Sequence, residues 1–532
     1  MMEATPAELR KHQMEGQDVA SMLARQAEHR SGHSALIWDP PAGDIRSWTY
    51  KQLWHDVRRL SAGLHARGIG VGDKVLLHAD NSPELILAWL ACATVGAVGV
   101  TTNTKSVPEE LAWFSKKAQC VAAITQPRYA DDIASVGGNV AWVALTEPEP
   151  GEAIVTSSDE RFTSFEGLFG EARDWPQREP DPLLPYCIMF TSGTTSKPKG
   201  VVHTHGNAIW ASRTGARNID LHPEDCYIVY QPFFHANAQT WSVLPVFGIG
   251  ATLVLVPKWS STRFWETVQR HGVTHFSLMG FNMATLMASD RPDTTLRVGV
   301  FGAIVPDGRD VFGCEIYAAY GMTETVIHTI TGKPSEYPEA GSMGWVAPGY
   351  ELAVVNPSTG DLCERGRPGE LWLRGTRGIQ LFLEYFDNAE ANARSFEDGW
   401  FKTGDIVKHT DGGTITYVER DADLLKVGGE NVSAREVEDV AGAVAGVGKV
   451  AVVGKKHDFL SEVVVAFVIK STIDASDESA LTQHVIETCS TRLASFKVPR
   501  AVYYLDEFPM GISGKILKTR LREIADAKPP ID

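Results

Sequence analysis

The run Phe190-Thr191-Ser192-Gly193-Thr194-Thr195-Ser196-Lys197-Pro198-Lys199-Gly200 limits the folds open to this chain more than any other stretch. Hydroxyl side chains fill five of the six positions from 191 to 196, so the run cannot build a core. The apolar Cys187-Ile188-Met189-Phe190 before it predicts a buried strand. Val201-Val202 and then His203-Thr204-His205-Gly206 follow it. A strand opening into such a loop offers backbone N–H groups near Gly193 and Gly200, with Lys197 and Lys199 alongside. Concavities of this kind suit polyphosphate oxygens. The run does not match GxxxxGK[ST], so the P-loop mechanism is excluded. A solvated turn between two strands is the plain alternative.

A chain of 532 residues is too long for one core, and two or more domains are expected. The formal charge of −16 argues against a nucleic-acid or anionic-membrane partner. Seven cysteines are scattered without a CxxC or Cys/His cluster, which fits reduced thiols in a cytoplasmic protein. Residues Met1 to Gly16 are polar and charged, so no signal peptide is expected. The most apolar window, Leu85 to Val100, is short for a membrane span and is broken by Gly96 and Gly99. It reads as a buried helix and a strand, with no transmembrane segment.

Taken in order, the chain alternates strand and helix. Helices are predicted at Val19–Ala27 and from Leu53 through Leu64, and strands at Ala35–Trp38, Lys74–His78 and Ala97–Thr101. Asn81-Ser82-Pro83-Glu84 is a helix start: cap residue, first-turn proline, early carboxylate. Residues 146–185, rich in Glu, Asp, Pro and Ser, read as a surface excursion or a disordered linker. Strands resume at Tyr227–Tyr230, Ala251–Val256, Thr274–Leu278 and Arg297–Phe301. This is an α/β pattern of layered sheets and helices. From about Arg420 the pattern changes to strands and helices of a small α+β domain, ending in the amphipathic Lys515–Ile524.

Further motifs carry chemistry. Phe233-Phe234-His235, after a strand and Pro232, suits a gate over an apolar pocket, or a core Phe pair with a satisfied His. In Tyr320-Gly321-Met322-Thr323-Glu324-Thr325 a tyrosine face can stack on adenine. Thr323 can bond an α-phosphate oxygen, and Glu324 can supply a ligand for Mg²⁺. Gly399-Trp400-Phe401-Lys402-Thr403-Gly404-Asp405 sets a carboxylate at a predicted turn. Gly428-Gly429 allows close passage of another chain, or a hairpin turn. Lys515, in Gly511-Ile512-Ser513-Gly514-Lys515, can reach into a cleft as a point charge. Lys497 and Arg500 either meet phosphates or form a solvated basic face.

TSGTTSKPKG and YGMTE, with these later motifs in order, resemble the adenylate-forming superfamily of acyl-CoA synthetases, luciferases and adenylation domains. The resemblance spans residues 17 to 525. Ser196 and Gly428-Gly429-Glu430-Asn431-Val432-Ser433 look most like its crotonobetaine/carnitine-CoA ligase branch. It implies a large N-terminal α/β domain with a β-rich subdomain (1–420) and a small mobile C-terminal α+β domain (423–532), with a hinge at 420–422. Ala422 falls where many members carry Asp or Lys.

The resemblance further implies a phosphate loop of Thr191, Ser192, Gly193, Thr194, Thr195 and Lys199. Gly302, Ala303, Tyr320 and Gly321 would surround adenine, and Asp405 and Arg420 would hold the ribose. Catalysis would use Lys515, Thr323, Glu324 and His235. CoA would meet Lys426, Gly428, Gly429 and Arg500. His235, Trp241, Met279, Phe281, Ala303 and Val326 would line the acyl pocket. Ala236-Asn237 stands where amino-acid-activating relatives place Asp, which argues against an amino acid. The segment 303–319 is shorter than the family helix expected there.

The implied activity is ATP-dependent ligation of a carboxylate to CoA through an acyl-adenylate. A carrier-protein acyl-AMP ligase and a luciferase-like oxidase share the motifs. Trp241 or Phe281 could meet a trimethylammonium, and a medium or ring-containing acid fits as well. A homodimer is a further expectation.

Overall fold

The computed structural model describes residues 4–148, 159–191, 198–336, 339–357, 359–420, 424–471, 477–510 and 516–531. Among them the strands form three sheets, of 14, 8 and 5 strands. The first two belong to a large N-terminal domain and the third to a small C-terminal one.

In the eight-stranded sheet Lys74–His78 lies between Val98–Thr101 and Cys120–Thr125, all parallel. Pro185–Thr191 joins Val98–Thr101 in parallel and turns back into Lys199–Thr204. Side chains alternate faces along these strands. Val75 and Leu77 point into a core shared with the helix Pro83–Val95 and with Leu36, Val229, Leu253 and Val300 of the larger sheet. Leu76, Val100 and Ile188 point the other way, against Leu111 and Phe114 of the helix Pro108–Ala118.

The larger sheet repeats this arrangement, packing Ile228, Val254 and Phe276 under the helix Ser261–His271. The result is two sheets with helices between and outside them. Pro83–Val95 lies in the middle layer, which is why it is apolar on every side: all but Glu84 are buried. Ser82 accepts from Leu85 N–H at its start, and Gly96, at φ +87°, ends it.

Six strands of the larger sheet run parallel, from Ser34–Trp38 through Thr252–Leu255, Cys226–Val229, His275–Ser277 and Val298–Phe301 to Glu315–Tyr320. Their carboxyl ends deliver Gln231–His235, Met279, Gly302 and Gly321 to one edge, where open α/β sheets place ligands. The sheet then continues antiparallel through Ile330–Gly332 and Ser342–Val346 to Ile415–Arg420 and Trp400–His409. Gly344, at φ +94°, sits at a register break, and a Cβ there would fall 2.2 Å from the Thr331 carbonyl oxygen. Gly344→Ala is expected to cost about 2–4 kcal/mol through a clash and left-handed backbone. A urea midpoint equal to that of the wild type would refute this.

In the small domain Val447–His457 and Ser461–Lys470 form a long hairpin, flanked by Leu424–Val427/Glu430–Ser433 and Ala501–Tyr504. Helices Ala434–Gly442 and Glu478–Arg492 cover one face. Lys518–Asp526 covers the other through Leu521 and Ala525, where Lys455 donates to the carbonyls of Ala525 and Lys528.

Two sequence expectations change. Phe162–Ser164, inside the expected excursion, is an edge strand beside Trp142–Leu145. Asp405, expected at a turn, lies within the strand Trp400–His409. The turn-like Gly404, at φ +74°, sits instead in a bulge of that strand, where Lys402 to Ile406 face only Trp372 to Glu370 of the neighbouring strand. The segment after Ala303 forms only a short helix, Gly308–Phe312. No helix among the described residues is long and apolar enough to cross a membrane.

Candidate active site

Thr191 ends its strand with its hydroxyl 3.5 Å from Glu324 Oε1. Tyr385 Oη donates to the same oxygen at 2.9 Å, and Lys199 Nζ stands 4.2 Å from the centre of the Tyr385 ring. Thr191, Lys199 and Glu324 therefore meet around one buried tyrosine. His203 fixes the loop from the other side, with its Nε2–H donating to the Thr323 carbonyl at 2.7 Å. Burial holds the His203 pKa down at about 4, so the ring is neutral and serves as a brace.

The same loop turns sharply at Val326. Its φ of +67° and ψ of −59° are strained for a β-branched residue. Thr240 donates to its carbonyl, and Ile327 N–H reaches back to Thr325 O at 2.7 Å.

At the other end Tyr320 Oη donates to Asp405 Oδ2 at 2.5 Å, with both residues buried. Asp405 is the register partner of Arg420 on the neighbouring strand, so the expected ribose pair shares one rung. Gly302 is exposed after its strand, with nothing among the described residues within 4 Å of a Cβ placed there.

His235 follows a loop clamped by Asn81, which accepts from Phe233 N–H and donates to the carbonyls of Gln231 and Val256. Its Nε2 meets Glu430 Oε2 at 3.1 Å, and Lys105 Nζ lies 3.6 Å from the other Glu430 oxygen. Burial pushes the Glu430 carboxyl up, but His235, Lys105 and Asn103 outweigh it and hold the pKa below 4.5. Glu430 directly follows Gly428 and Gly429, which at φ +57° and +89° make the two-residue turn of a hairpin. That turn therefore stands beside His235. Lys426 is exposed on the hairpin, and its N–H donates to Glu462. Arg500 is exposed where it enters Ala501–Tyr504.

Lys497 differs from both sequence readings. It is buried between Glu110 Oε1 at 2.5 Å and Glu436 Oε1 at 2.9 Å, away from any phosphate role. Trp241 packs edge-on against His328, with ring centres 4.6 Å apart. Ser192, Gly193, Thr194, Thr195, Ser196, Lys197, Lys515 and 421–423 (with Ala422) lie outside the described residues, as do the side chains of Phe281 and Arg420. Sequence reasoning missed Tyr385 and His328, and quoted His203 without a role. It quoted Glu430 only as part of a motif, and only its Gly-Gly neighbours marked it.

The AMP-binding enzyme family model matches residues 23–386, and the AMP-binding enzyme C-terminal domain model matches 436–515. A crotonobetaine/carnitine–CoA ligase of Salmonella paratyphi A is 31% identical over 525 residues, covering 95% of this chain and 99% of the relative. The o-succinylbenzoate CoA synthetase of Bacillus subtilis, solved as a double mutant with a product analogue, superposes with a TM-score of 0.81. It is 25% identical, over 95% of this chain and 98% of the other. The same enzyme in complex with AMP, 24% identical over 97% and 99%, gives 0.66. Both family models, in order, and the full-length relative leave one conclusion: the chain belongs to the AMP-binding enzyme family, as an AMP-forming acid–thiol ligase.

Proposed function

We propose that this site carries both half-reactions of a carboxylate–CoA ligase, with roles divided as follows. ATP phosphates lie along Thr191, Lys199 and residues 192–197. Gly302, Ala303, Tyr320 and Gly321 surround adenine, and Asp405 and Arg420 hold the ribose. The acid lies against Trp241, Phe281 and Val326. One carboxylate oxygen bonds to the α-phosphorus as pyrophosphate leaves, while Thr323 and Lys515 meet the charge that builds there. The CoA thiolate then bonds to the acyl carbon and AMP departs, with the pantetheine arm passing Gly428 and Gly429 toward His235. Lys426 and Arg500 meet the rest of CoA.

Glu324 suits Mg²⁺, because it is a buried oxygen donor beside the Thr191 end of the phosphate-loop strand. The ion would sit between Glu324 and phosphate oxygens, neutralising their charge.

The observation that supports this reading best is the Glu430–His235 contact, which brings the two-glycine turn beside His235. The higher TM-score against the product-analogue complex supports a swing about 420–422 between 1–420 and 423–532, with the small domain standing here as the CoA step needs it. A cytoplasmic location and a homodimer belong to the same proposal, and mass in solution decides the second.

The test is AMP and acyl-CoA formation across a panel of carboxylic acids. Lys515→Ala is expected to lose acid-dependent AMP formation by about 10²-fold or more, yet still convert added acyl-adenylate to thioester. Adenylate accumulating in the wild type without any CoA product would point instead to a carrier protein as thiol acceptor.

A further inference from the structure

Beside the proposed acyl pocket three polar side chains carry buried hydrogen-bonding atoms with no partner among the described residues: Asn237 Oδ1, Trp241 Nε1, and both ring nitrogens of His328. They sit on two elements tied together by the Thr240 hydroxyl, which donates to the Val326 carbonyl. Trp241 and His328 meet edge to face at 74°. The indole also covers Gly321, where a Cβ would come within 2.9 Å of Trp241 Cζ2. Asn237 lies four residues before Trp241, on the same helical face. Trp241 itself lies in a π-helical turn, Gln239–Val243, an irregularity frequent at functional sites.

Buried polar atoms are normally paired, and an unpaired one costs stability until something bonds to it. The indole N–H and the two imidazole nitrogens, on rings in contact, amount to one unmet demand, and Asn237 Oδ1 adds an acceptor one turn away along the chain. His328 is 1% exposed, and burial holds its pKa down at about 3. The neutral ring has one N–H donor and one acceptor nitrogen. The indole adds a donor and Asn237 an acceptor.

An alkyl chain meets none of these atoms. A quaternary ammonium has neither a proton to give nor a lone pair to offer, and a second carboxylate would meet no opposing charge from a neutral His328.

Building on the acid-activating reading, we infer that the acid carries, beyond its carboxylate, a neutral oxygen function such as a hydroxyl or carboxamide, bonded by Trp241, His328 and Asn237. Sites built to bond a substrate hydroxyl reject analogues lacking it far more strongly than apolar pockets reject a missing methylene.

The test compares acids of equal length with and without a hydroxyl or carboxamide, together with a betaine, in acid-dependent AMP and thioester formation. The wild type is expected to favour the oxygenated acid by about 10²-fold or more in kcat/KM. Trp241→Phe, which keeps a ring and loses the N–H, and His328→Leu are each expected to cut that preference at least about tenfold, with the KM for ATP unchanged in His328→Leu. Equal use of both acids by the wild type, preference for the betaine, or a preference surviving both substitutions overturns the inference. No AMP from any acid would overturn the acid-activating reading, and this inference with it.

Discussion

Glu324→Gln is expected to lower acid-dependent AMP formation by about 10²–10³-fold, or about 2.7–4 kcal/mol of transition-state stabilisation. The amide keeps the shape of the carboxylate and an oxygen to accept from Tyr385 Oη and Thr191 Oγ1. Only the negative charge is lost, together with its hold on a phosphate-bound cation, so the fall belongs to chemistry and the thermal midpoint should barely move. Glu324→Ala separates the two effects. It strips the buried Tyr385 hydroxyl of the 2.9 Å bond and adds about 1–3 kcal/mol of destabilisation. Pyrophosphate–ATP exchange with a good acid, measured over a Mg²⁺ series, reads the first effect, and thermal unfolding reads the second. A Glu324→Gln enzyme within threefold of wild type would remove Glu324 from the catalytic set.

Much of this site was legible because its signals are local. The cap at Ser82-Pro83-Glu84 names its own helix, and Ala501–Tyr504 and Lys74–His78 fall where their apolar patterns put them. Glycine is harder to read, because φ > 0 serves a turn and a bulge alike: Gly404 marks a bulge inside a strand, not the turn its sequence suggests for Asp405. Phe162–Ser164 is a strand only because Trp142–Leu145 lies beside it; three residues in an acidic stretch carry no period of their own. The contacts that finish the site are long-range. His235 and Glu430 are 195 residues apart, and nothing around His328 in the sequence reveals that Trp241 will face it. Buried charge is hidden in the same way. Lys497 looks like any basic surface residue until Glu110 is brought to it across 387 positions.

That lysine underlies the second large effect. Lys497→Met is expected to slow CoA thioester formation from added acyl-adenylate by about 10²-fold or more while acid-dependent pyrophosphate exchange stays near wild type. Lys497 Nζ is the cation between Glu110, on the large domain, and Glu436, on the small one. Burial lowers the lysine pKa, but the two carboxylates outweigh it and hold the pKa above 10.5. Burial raises the Glu436 carboxyl, and Lys497 only partly offsets that. A raised lysine pKa contributes stability that is complete below 10.5 and lost as pH rises through the folded value, so the lysine stays charged across the neutral range. Without it two carboxylates face each other in a dry interface, a loss of about 3–5 kcal/mol. The loss falls on the docked arrangement of the domains, where Glu430 also meets His235. Glu110→Gln tests docking apart from folding of the small domain, because the Lys497–Glu436 pair within that domain survives it. It should reproduce the thioester defect in weaker form. Arg492→Ala is the control, removing an exposed pair with Glu109 worth about 0–1 kcal/mol, and should change little. Were exchange and thioester formation to fall together in both Lys497→Met and Glu110→Gln, the docked arrangement would not be specific to the CoA step. A fall confined to the thioester assigns this buried lysine to the second half-reaction.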